Sequence, residues 1–147
     1  MTLEDDVRKN LAQLFDGYRV DIGEKWGGDT AESPGYIILF IENVGLQIAR
    51  EGDGSISFSI FSVHMPRQRW PIDYFQWLIE EVTDIPARLS NRPLHEWCVW
   101  VLKNFHSIDK ALSETEYPNT ALQLKQICEV QGERFNQAFA RHPDILS

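Results

Sequence analysis

The sequence is poor in the features that identify most enzymes and membrane proteins. It has two cysteines in 147 residues, and it contains no phosphate-cradling glycine loop, no G-x-S-x-G nucleophile turn and no H-E-x-x-H metal motif. Its uninterrupted apolar runs, such as Ile37 to Ile41, are far shorter than the roughly twenty residues of a membrane-spanning helix. The sequence therefore predicts a protein without a cofactor, a bound metal or a membrane partner.

Cysteine usage and the amino terminus bear on the cellular compartment. Cys98 and Cys128 both fall within apolar helical stripes, which predicts reduced and buried thiols rather than a disulfide. The first residues, MTLEDDVRK, are acidic where a secretory signal would be basic and then apolar. Both observations favour a cytoplasmic protein.

Basic residues are also in short supply. The chain carries 14 Lys and Arg against 22 Asp and Glu, a net charge of −8, which disfavours contact with nucleic-acid phosphates. Residues 1–66 hold 11 acidic and 5 basic residues, whereas residues 67–147 hold 11 and 9. A basic protein partner is thus expected to approach the N-terminal half. The alternative is that the acidity only keeps the protein soluble.

Apolar residues are abundant, at 43% of the chain, and they are patterned as one globular α+β domain spanning residues 1–147. Tyr36 to Ile41 is apolar at both alternating sets of positions, as in a central strand covered on both sides. Turn residues at Asn43 to Gly45 and at Gly52 to Gly54 predict two further strands.

The third of these strands changes its pattern at its end. Ile56, Phe58 and Ile60 alternate with serines, but Phe61 and Val63 fall on the opposite parity. Either a β-bulge near Ile60 and Phe61 restores both sets to the core, or the strand passes from one packing partner to another.

The remaining elements complete the predicted fold. Thr2 can cap a first helix with Asp5 in the capping-box position, and Tyr18 to Ile22 alternates as an edge strand. Prolines or turn residues near 71, 93 and 119 mark later helices. We expect an N-terminal helix, a four-stranded antiparallel β-meander, then two to three C-terminal helices packed on one sheet face.

Two tryptophans are candidate partner contacts. Trp26 lies in the long, glycine-rich segment Gly23 to Gly35, where it could anchor a partner or fold back over the sheet edge. Trp77 falls outside the apolar stripe of its helix, which places the indole in an acidic patch that suits a cationic partner. The alternative is that Trp77 packs against the N-terminal helix or a long loop. The residues predicted to form that patch are Asp73, Glu80 and Glu81.

One basic cluster precedes a helix start. His64, Arg67 and Arg69 could hold an anion or ligand there, or they could simply pair with local acids in a solvated connector. His95 and Cys98 have a metal-like spacing, but His106 would lie about 16 Å from His95 along a helix, too far to share an ion. No metal site is predicted.

These observations favour a non-catalytic, acidic binding protein that engages a macromolecular partner. Its general character suits an inhibitor or immunity protein of a basic toxin, or a secretion-type chaperone. One alternative is a small-ligand-binding protein or enzyme with a pocket between sheet and helices, using the basic cluster. Another is a structural homo-oligomer with Trp77 or Trp100 in a symmetric interface.

Overall fold

The structure, a computed structural model, describes residues 2–81 and 92–141, with side chains described as far as residue 133. Helices and strands follow one another in clear blocks along the chain. They are α1 (Leu3–Asn10), α2 (Ala12–Gly17), β1 (Val20–Gly27), β2 (Gly35–Ile41), β3 (Val44–Arg50), β4 (Ile56–Ser62), β5 (Arg69–Pro71), α3 (Ile72–Glu80), α4 (Leu94–Ala111) and α5 (Tyr117–Arg141).

The strands form one antiparallel sheet in the order β1-β2-β3-β4-β5, so the predicted α+β class is confirmed. The prediction of four strands was one short. The fifth, β5, pairs Arg69 to Pro71 with Ser59 to Phe61 of β4. Three residues ending in a proline are too few to show an alternating pattern, which is why the sequence did not reveal this strand.

The first helix begins as its capping residues predict. The hydroxyl of Thr2 accepts a hydrogen bond from the Asp5 amide at 3.1 Å, and the Thr2 amide donates to the Asp5 carboxylate at 3.1 Å. The helix is interrupted at Leu11, which divides it into α1 and α2. Leu3, Val7, Leu11 and Leu14 are buried in the main core, whereas Tyr18, at the end of the stripe, is exposed.

The main core fills one side of the sheet. Two rows that cross the central strands form its floor, Ile37 with Ile48 and Phe58, and Leu39 with Leu46 and Ile60. The helices add further buried side chains above this floor: Leu3, Val7, Leu11, Leu14, Ile72, Phe75, Trp97, Trp100, Val101, Phe105, Ile108, Tyr117, Leu124 and Ile127. Helices from both ends of the chain thus share one core on one face of the sheet.

The β-bulge lies in a different strand from the one predicted. The β3–β4 pairing is continuous from Val44 and Ser62 to Arg50 and Ile56, so a bulge near Ile60 and Phe61 is wrong. Phe61 instead packs on the face of the sheet opposite the main core, as the second alternative allowed. The register shift occurs in β1, between Ile22 and Glu24.

The two cysteines differ in their environments. Cys98 is buried, and desolvation raises its thiol pKa to about 12. Cys128 is exposed, so the prediction of a buried thiol was wrong for this residue. Helix α5 turns Leu124, Ile127 and Gln131 inward, which leaves Cys128 outside the buried stripe.

A buried arginine joins three parts of the chain at one end of the sheet. Only 7% of the Arg50 surface is exposed. Its guanidinium donates to the carbonyl oxygens of Thr30 and Ser33, at 2.8 and 3.3 Å, and to the carboxylate of Asp6 at 3.1 Å. Arg50 therefore ties the loop at residues 28–34 and helix α1 to strand β3.

Replacing Arg50 by methionine should lower the free energy of unfolding by about 2–3 kcal/mol, because two carbonyls and a partly buried carboxylate lose their donor. Arg19→Met is the matched control, since the Arg19–Asp21 pair is solvent-exposed and should contribute less than about 0.5 kcal/mol. Urea unfolding of both variants measures the difference. Equal, small losses would contradict the anchoring role of Arg50.

Candidate functional site

The face of the sheet opposite the main core, here called the outer face, has its own ordered rows of side chains. Among the described residues, none of those in the main core comes from this face. Read across the strands from β1, its rows are Trp26, Tyr36, Ala49 and Ser57; Glu24, Ile38, Gln47, Ser59 and Pro71; and Asp21, Phe40, Gly45, Phe61 and Arg69. This arrangement mixes aromatic, polar and charged groups on one surface.

One end of the outer face is covered by its own side chains. Phe61 is fully buried there, with the ring of Phe40 edge-on at 5.9 Å and the guanidinium of Arg69 4.8 Å from its centroid. The Phe61 ring occupies the space that a side chain at Gly45 would need, and Arg69 also donates to Gln47. This end of the face is therefore closed.

The same contacts bear on the predicted anion site. Arg69 donates to the Pro66 carbonyl at 3.2 Å as well as to Gln47, and a ring nitrogen of His64 lies 2.9 Å from the side-chain oxygen of Asn43. Arg67 is exposed. Two of the three predicted ligand groups are thus already bonded within the protein. An anion site at His64, Arg67 and Arg69 stays a prediction.

The other end of the outer face exposes an aromatic pair, here called the aromatic corner. Trp26 is 60% exposed, the highest value for a large apolar side chain among the described residues. Its ring stacks on that of Tyr36, with centroids 6.3 Å apart and planes inclined by 28°. The Tyr36 hydroxyl donates to the carboxylate of Glu24. Trp26 thus lies on a strand rather than in the loop that the sequence suggested.

The bulge in β1 decides which way Trp26 faces. Strand residues alternate between faces, so a regular strand with Asp21 outward would turn residue 26 towards the core. The register shift between Ile22 and Glu24 reverses the alternation and brings Glu24 and Trp26 to the outer face. Gly23 is required at this point because the ring of Phe40 fills the space of a β-carbon. An isolated glycine within an alternating strand is the signal that could have revealed this bulge.

Beside the aromatic corner lies a cluster of charged residues, here called the acidic end. The start of α1, the loop at residues 28–34 and the hairpin at residues 51–55 meet there, as shown by the Leu3 amide bond to the Gly28 carbonyl at 2.9 Å and by the Arg50 contacts. The acidic end contains Glu4, Asp5, Asp6, Glu24, Asp29, Glu32, Glu51 and Asp53, against Arg8, Lys25 and Arg50.

All three basic residues of the acidic end are paired internally. Arg8 and Lys25 both bind the Glu4 carboxylate, at 2.9 and 2.8 Å, and Arg50 binds Asp6. Lys25 and, to a smaller extent, Arg8 lower the pKa of the Glu4 carboxyl. The capping bonds from Thr2 lower the pKa of Asp5, and hydrogen bonds from Ser55 lower that of Asp53. The acidic end therefore keeps a negative charge at neutral pH.

A cleft of about 470 Å³ separates the start of α1 from the end of β1. Its lining joins the aromatic corner to the acidic end, since Trp26, Tyr36, Glu4, Asp5 and Asp29 all contribute to it. The cleft gives a partner's side chain a recess next to both kinds of group.

The predicted acidic patch on α3 is arranged differently from the expectation. Asp73 is buried, and Trp77 is half-buried against the main core. Glu80 accepts a hydrogen bond at 2.9 Å from the indole of Trp100, while Glu81 is exposed at the left-handed end of the helix. The sequence predicted an exposed Trp77 indole among three exposed acidic side chains. In the structure the indole is half-buried, and one of the three acids, Asp73, is buried.

Trp77 does reach a second surface recess. An open groove of about 450 Å³ between α3 and α5 is lined by Trp77, Leu78, Glu81, Gln123, Gln126, Ile127 and Val130. Trp100, the other residue considered for a symmetric interface, is buried edge-on against Trp97 at 6.4 Å. Trp100 therefore belongs to the core, and Trp77 keeps a partly accessible edge.

The described residues contain neither a metal-binding cluster nor a membrane-spanning helix. Within residues 2–81 and 92–141, no three His, Cys, Asp or Glu side chains converge as metal ligands would. Over the same residues no helix combines the length and apolar character needed to cross a bilayer. His95 is exposed while Cys98 is buried, so their helical spacing does not make a shared site.

Comparison with protein-family models, curated proteins and solved structures found no match to this chain.

The hydrogen bond between Tyr36 and Glu24 predicts that the Tyr36 hydroxyl loses its proton at a higher pH than an ordinary tyrosine does. The bond favours the neutral phenol and the carboxylate repels a phenolate, so the pKa of Tyr36 is raised above its ordinary value of 10.0. Because the folded pKa is the higher one, this contribution to stability is present below pH 10 and is lost as pH rises through the raised pKa. Glu24→Gln should lower the Tyr36 pKa, measured by NMR of ring-labelled tyrosine.

Asp21→Asn is the control for this titration, because Asp21 lies on the same strand and face but bonds Arg19 rather than Tyr36. It should leave the Tyr36 pKa close to the wild-type value. A Tyr36 pKa that is unchanged by Glu24→Gln would show that the hydrogen bond does not form in solution.

Proposed function

We propose that this protein is a non-catalytic binding protein that docks a basic segment of a protein partner on the aromatic corner. The observation that supports this most is Trp26, an indole that is 60% exposed on a strand and stacked on Tyr36 beside the acidic end. Tryptophan is the residue type most enriched among binding hot spots. Burial of such a ring by a partner removes a large apolar surface from water.

The rigidity of the aromatic corner supports the same proposal. Trp26 and Tyr36 lie on paired strands, and stacking on Tyr36 restricts the rotation of the indole before any partner arrives. A side chain that is already ordered loses little conformational entropy on binding. The corner is thus arranged as a preformed contact and needs no folding step.

Charge complementarity supports a basic partner. The basic residues of the acidic end already have carboxylate partners, and the whole chain has a net charge of −8. Lysines or arginines of a partner would be attracted to this end and could also contact the face of the Trp26 indole. An acidic partner or a nucleic acid would be repelled.

This chemistry suits the two kinds of protein that the sequence suggested. An inhibitor or immunity protein of a basic toxin needs an acidic, preformed docking surface, and so does a secretion-type chaperone that holds a basic segment. A cytoplasmic site of action belongs to the proposal, since Cys98 and Cys128 are both free. Trp77 and Glu81, which line the groove between α3 and α5, remain candidates for a second contact.

The alternative of a small-ligand pocket between sheet and helices receives less support. The region between the sheet and the helices holds large, fully buried side chains, among them Trp97, Phe75 and Leu39. The cleft beside α1 and the groove beside α3 are both open to solvent. Open recesses of this kind suit the side chains of a macromolecule better than an enclosed small molecule.

A selection from a displayed library of random twelve-residue peptides tests the proposal directly. The enriched peptides should carry net positive charge, and their affinity should fall as salt concentration rises. Trp26→Ala should weaken binding at least tenfold, the effect of a hot-spot truncation of about 1.4 kcal/mol. Fluorescence anisotropy of a labelled, enriched peptide measures both effects.

Val99→Ala is the matched control for this experiment, because Val99 is 55% exposed on α4 and is not part of the outer face. It should bind the peptide as the wild type does. The proposal would be overturned by an absence of enrichment, by neutral or acidic enriched peptides, or by equal binding to the Trp26→Ala variant.

A further inference from the structure

We infer that the basic segment binds as an added strand along the outer edge of β1, an inference that rests on the proposed function and specifies its geometry. Side chains of the aromatic corner would then supply only part of the contact. The remainder would come from backbone hydrogen bonds that the edge of β1 leaves unused, as in strand addition to other sheets.

The hydrogen-bonding pattern of β1 shows which backbone groups face outward. The Gly28 amide donates to the Pro34 carbonyl at 2.9 Å, and bonded pairs recur at every second residue of an antiparallel ladder. Trp26 and Glu24, which pair with Tyr36 and Ile38, therefore direct their backbone groups towards β2. Lys25, between them, directs its N–H and C=O away from the sheet.

The same alternation continues beyond the bulge. Along β2 the residues at even positions face β1, so Phe40 bonds Asp21 and the backbone of Ile22 points outward. Among the described residues no strand pairs with this side of β1. The last five residues of β1, from Gly23 to Gly27, are all exposed. A partner strand could thus approach this edge along most of its length.

The bulge between Ile22 and Glu24 interrupts this edge, but the lysine beyond it gives little protection against strand addition. Edge strands are often guarded by a lysine that extends beyond the sheet. Here the ammonium of Lys25 is held by Glu4 of α1 at 2.8 Å, on the side of the main core. The opposite edge of the sheet is guarded, since β5 has only three residues and ends in Pro71, which has no amide hydrogen.

The residues beside the edge select a basic segment over a second copy of this chain. An added strand would place alternate side chains on the outer face, next to Glu24 and Trp26. A lysine or arginine at those positions could pair with the carboxylate or lie over the indole. Pairing of two copies through β1 would instead bring two acidic ends together, against a charge of −8 on each chain.

Lys25→Pro and Lys25→Ala form a matched pair of variants that separates backbone from side chain. Both remove the lysine side chain and its bond to Glu4, but only proline removes the outward N–H. An edge position tolerates proline because that N–H is not part of the ladder with β2. The probe is a basic peptide enriched in the display selection, labelled for anisotropy, and urea unfolding checks that the two variants are equally stable.

We expect Lys25→Pro to bind the peptide at least fivefold more weakly than Lys25→Ala. In the wild-type complex, the amides of Ile22 and Lys25 should exchange with solvent more slowly than in the free protein, as measured by NMR. The exchange measurement decides the matter if the proline variant is less stable. The Trp26 amide, already bonded to β2, serves as the internal reference.

Equal binding by the two Lys25 variants, or unchanged exchange at Ile22 and Lys25, would overturn strand addition. If Trp26→Ala still lost affinity in that case, the proposed function would stand with a purely side-chain contact. If Trp26→Ala also bound normally, both proposals would fail. Dimerisation of the wild type through β1, seen by sedimentation and abolished by Lys25→Pro, would contradict the choice of a basic segment as the occupant.

Discussion

The buried guanidinium of Arg50 is the contact on which the acidic end depends. It gathers acceptors from Asp6 of α1 and from Thr30 and Ser33 of the loop, and it also places a positive charge among many negative ones. Without it, Asp6 would add to the repulsion at this end and the loop carbonyls would lose their donors. Arg50 therefore stabilises the place where α1, the end of β1 and the neighbouring loop meet.

The two faces of the sheet differ in what covers them. One face holds the main core beneath the helices. The outer face closes its own far end, where Arg69 and Phe40 bury Phe61. The exposed aromatic surface is then concentrated at Trp26 and Tyr36, next to the negative charge. A small, preformed site of this kind is consistent with recognition of a basic segment.

The sequence predicted correctly those elements that depend on interactions between residues close together in the chain. The Thr2 and Asp5 capping box, the buried stripe of the first helix and the hairpin of β2 and β3 all follow from neighbouring residues. The features that sequence reasoning missed depend on contacts between distant segments. Arg50 is the last residue of an alternating strand, a position at which an arginine is often exposed to solvent. Its partner in the structure, Asp6, lies 44 residues away in the sequence. Likewise Trp26 reaches the outer face through a bulge at Gly23, where the ring of Phe40, from the neighbouring strand, occupies the space of a β-carbon.

Ionic quenching of tryptophan fluorescence tests at once whether Trp26 is exposed to solvent and whether it lies in a negative field. Relative to the quenching of free N-acetyltryptophanamide by each ion, wild type should be quenched more strongly by caesium than by iodide, because cations are concentrated near the acidic end and anions are depleted. Trp26→Phe should remove most of the emission that caesium can reach, leaving the more buried Trp70, Trp77, Trp97 and Trp100. Iodide quenching that is at least as strong as caesium quenching on this relative scale, or equal caesium quenching in the wild type and Trp26→Phe, would contradict an exposed Trp26 in a negative field.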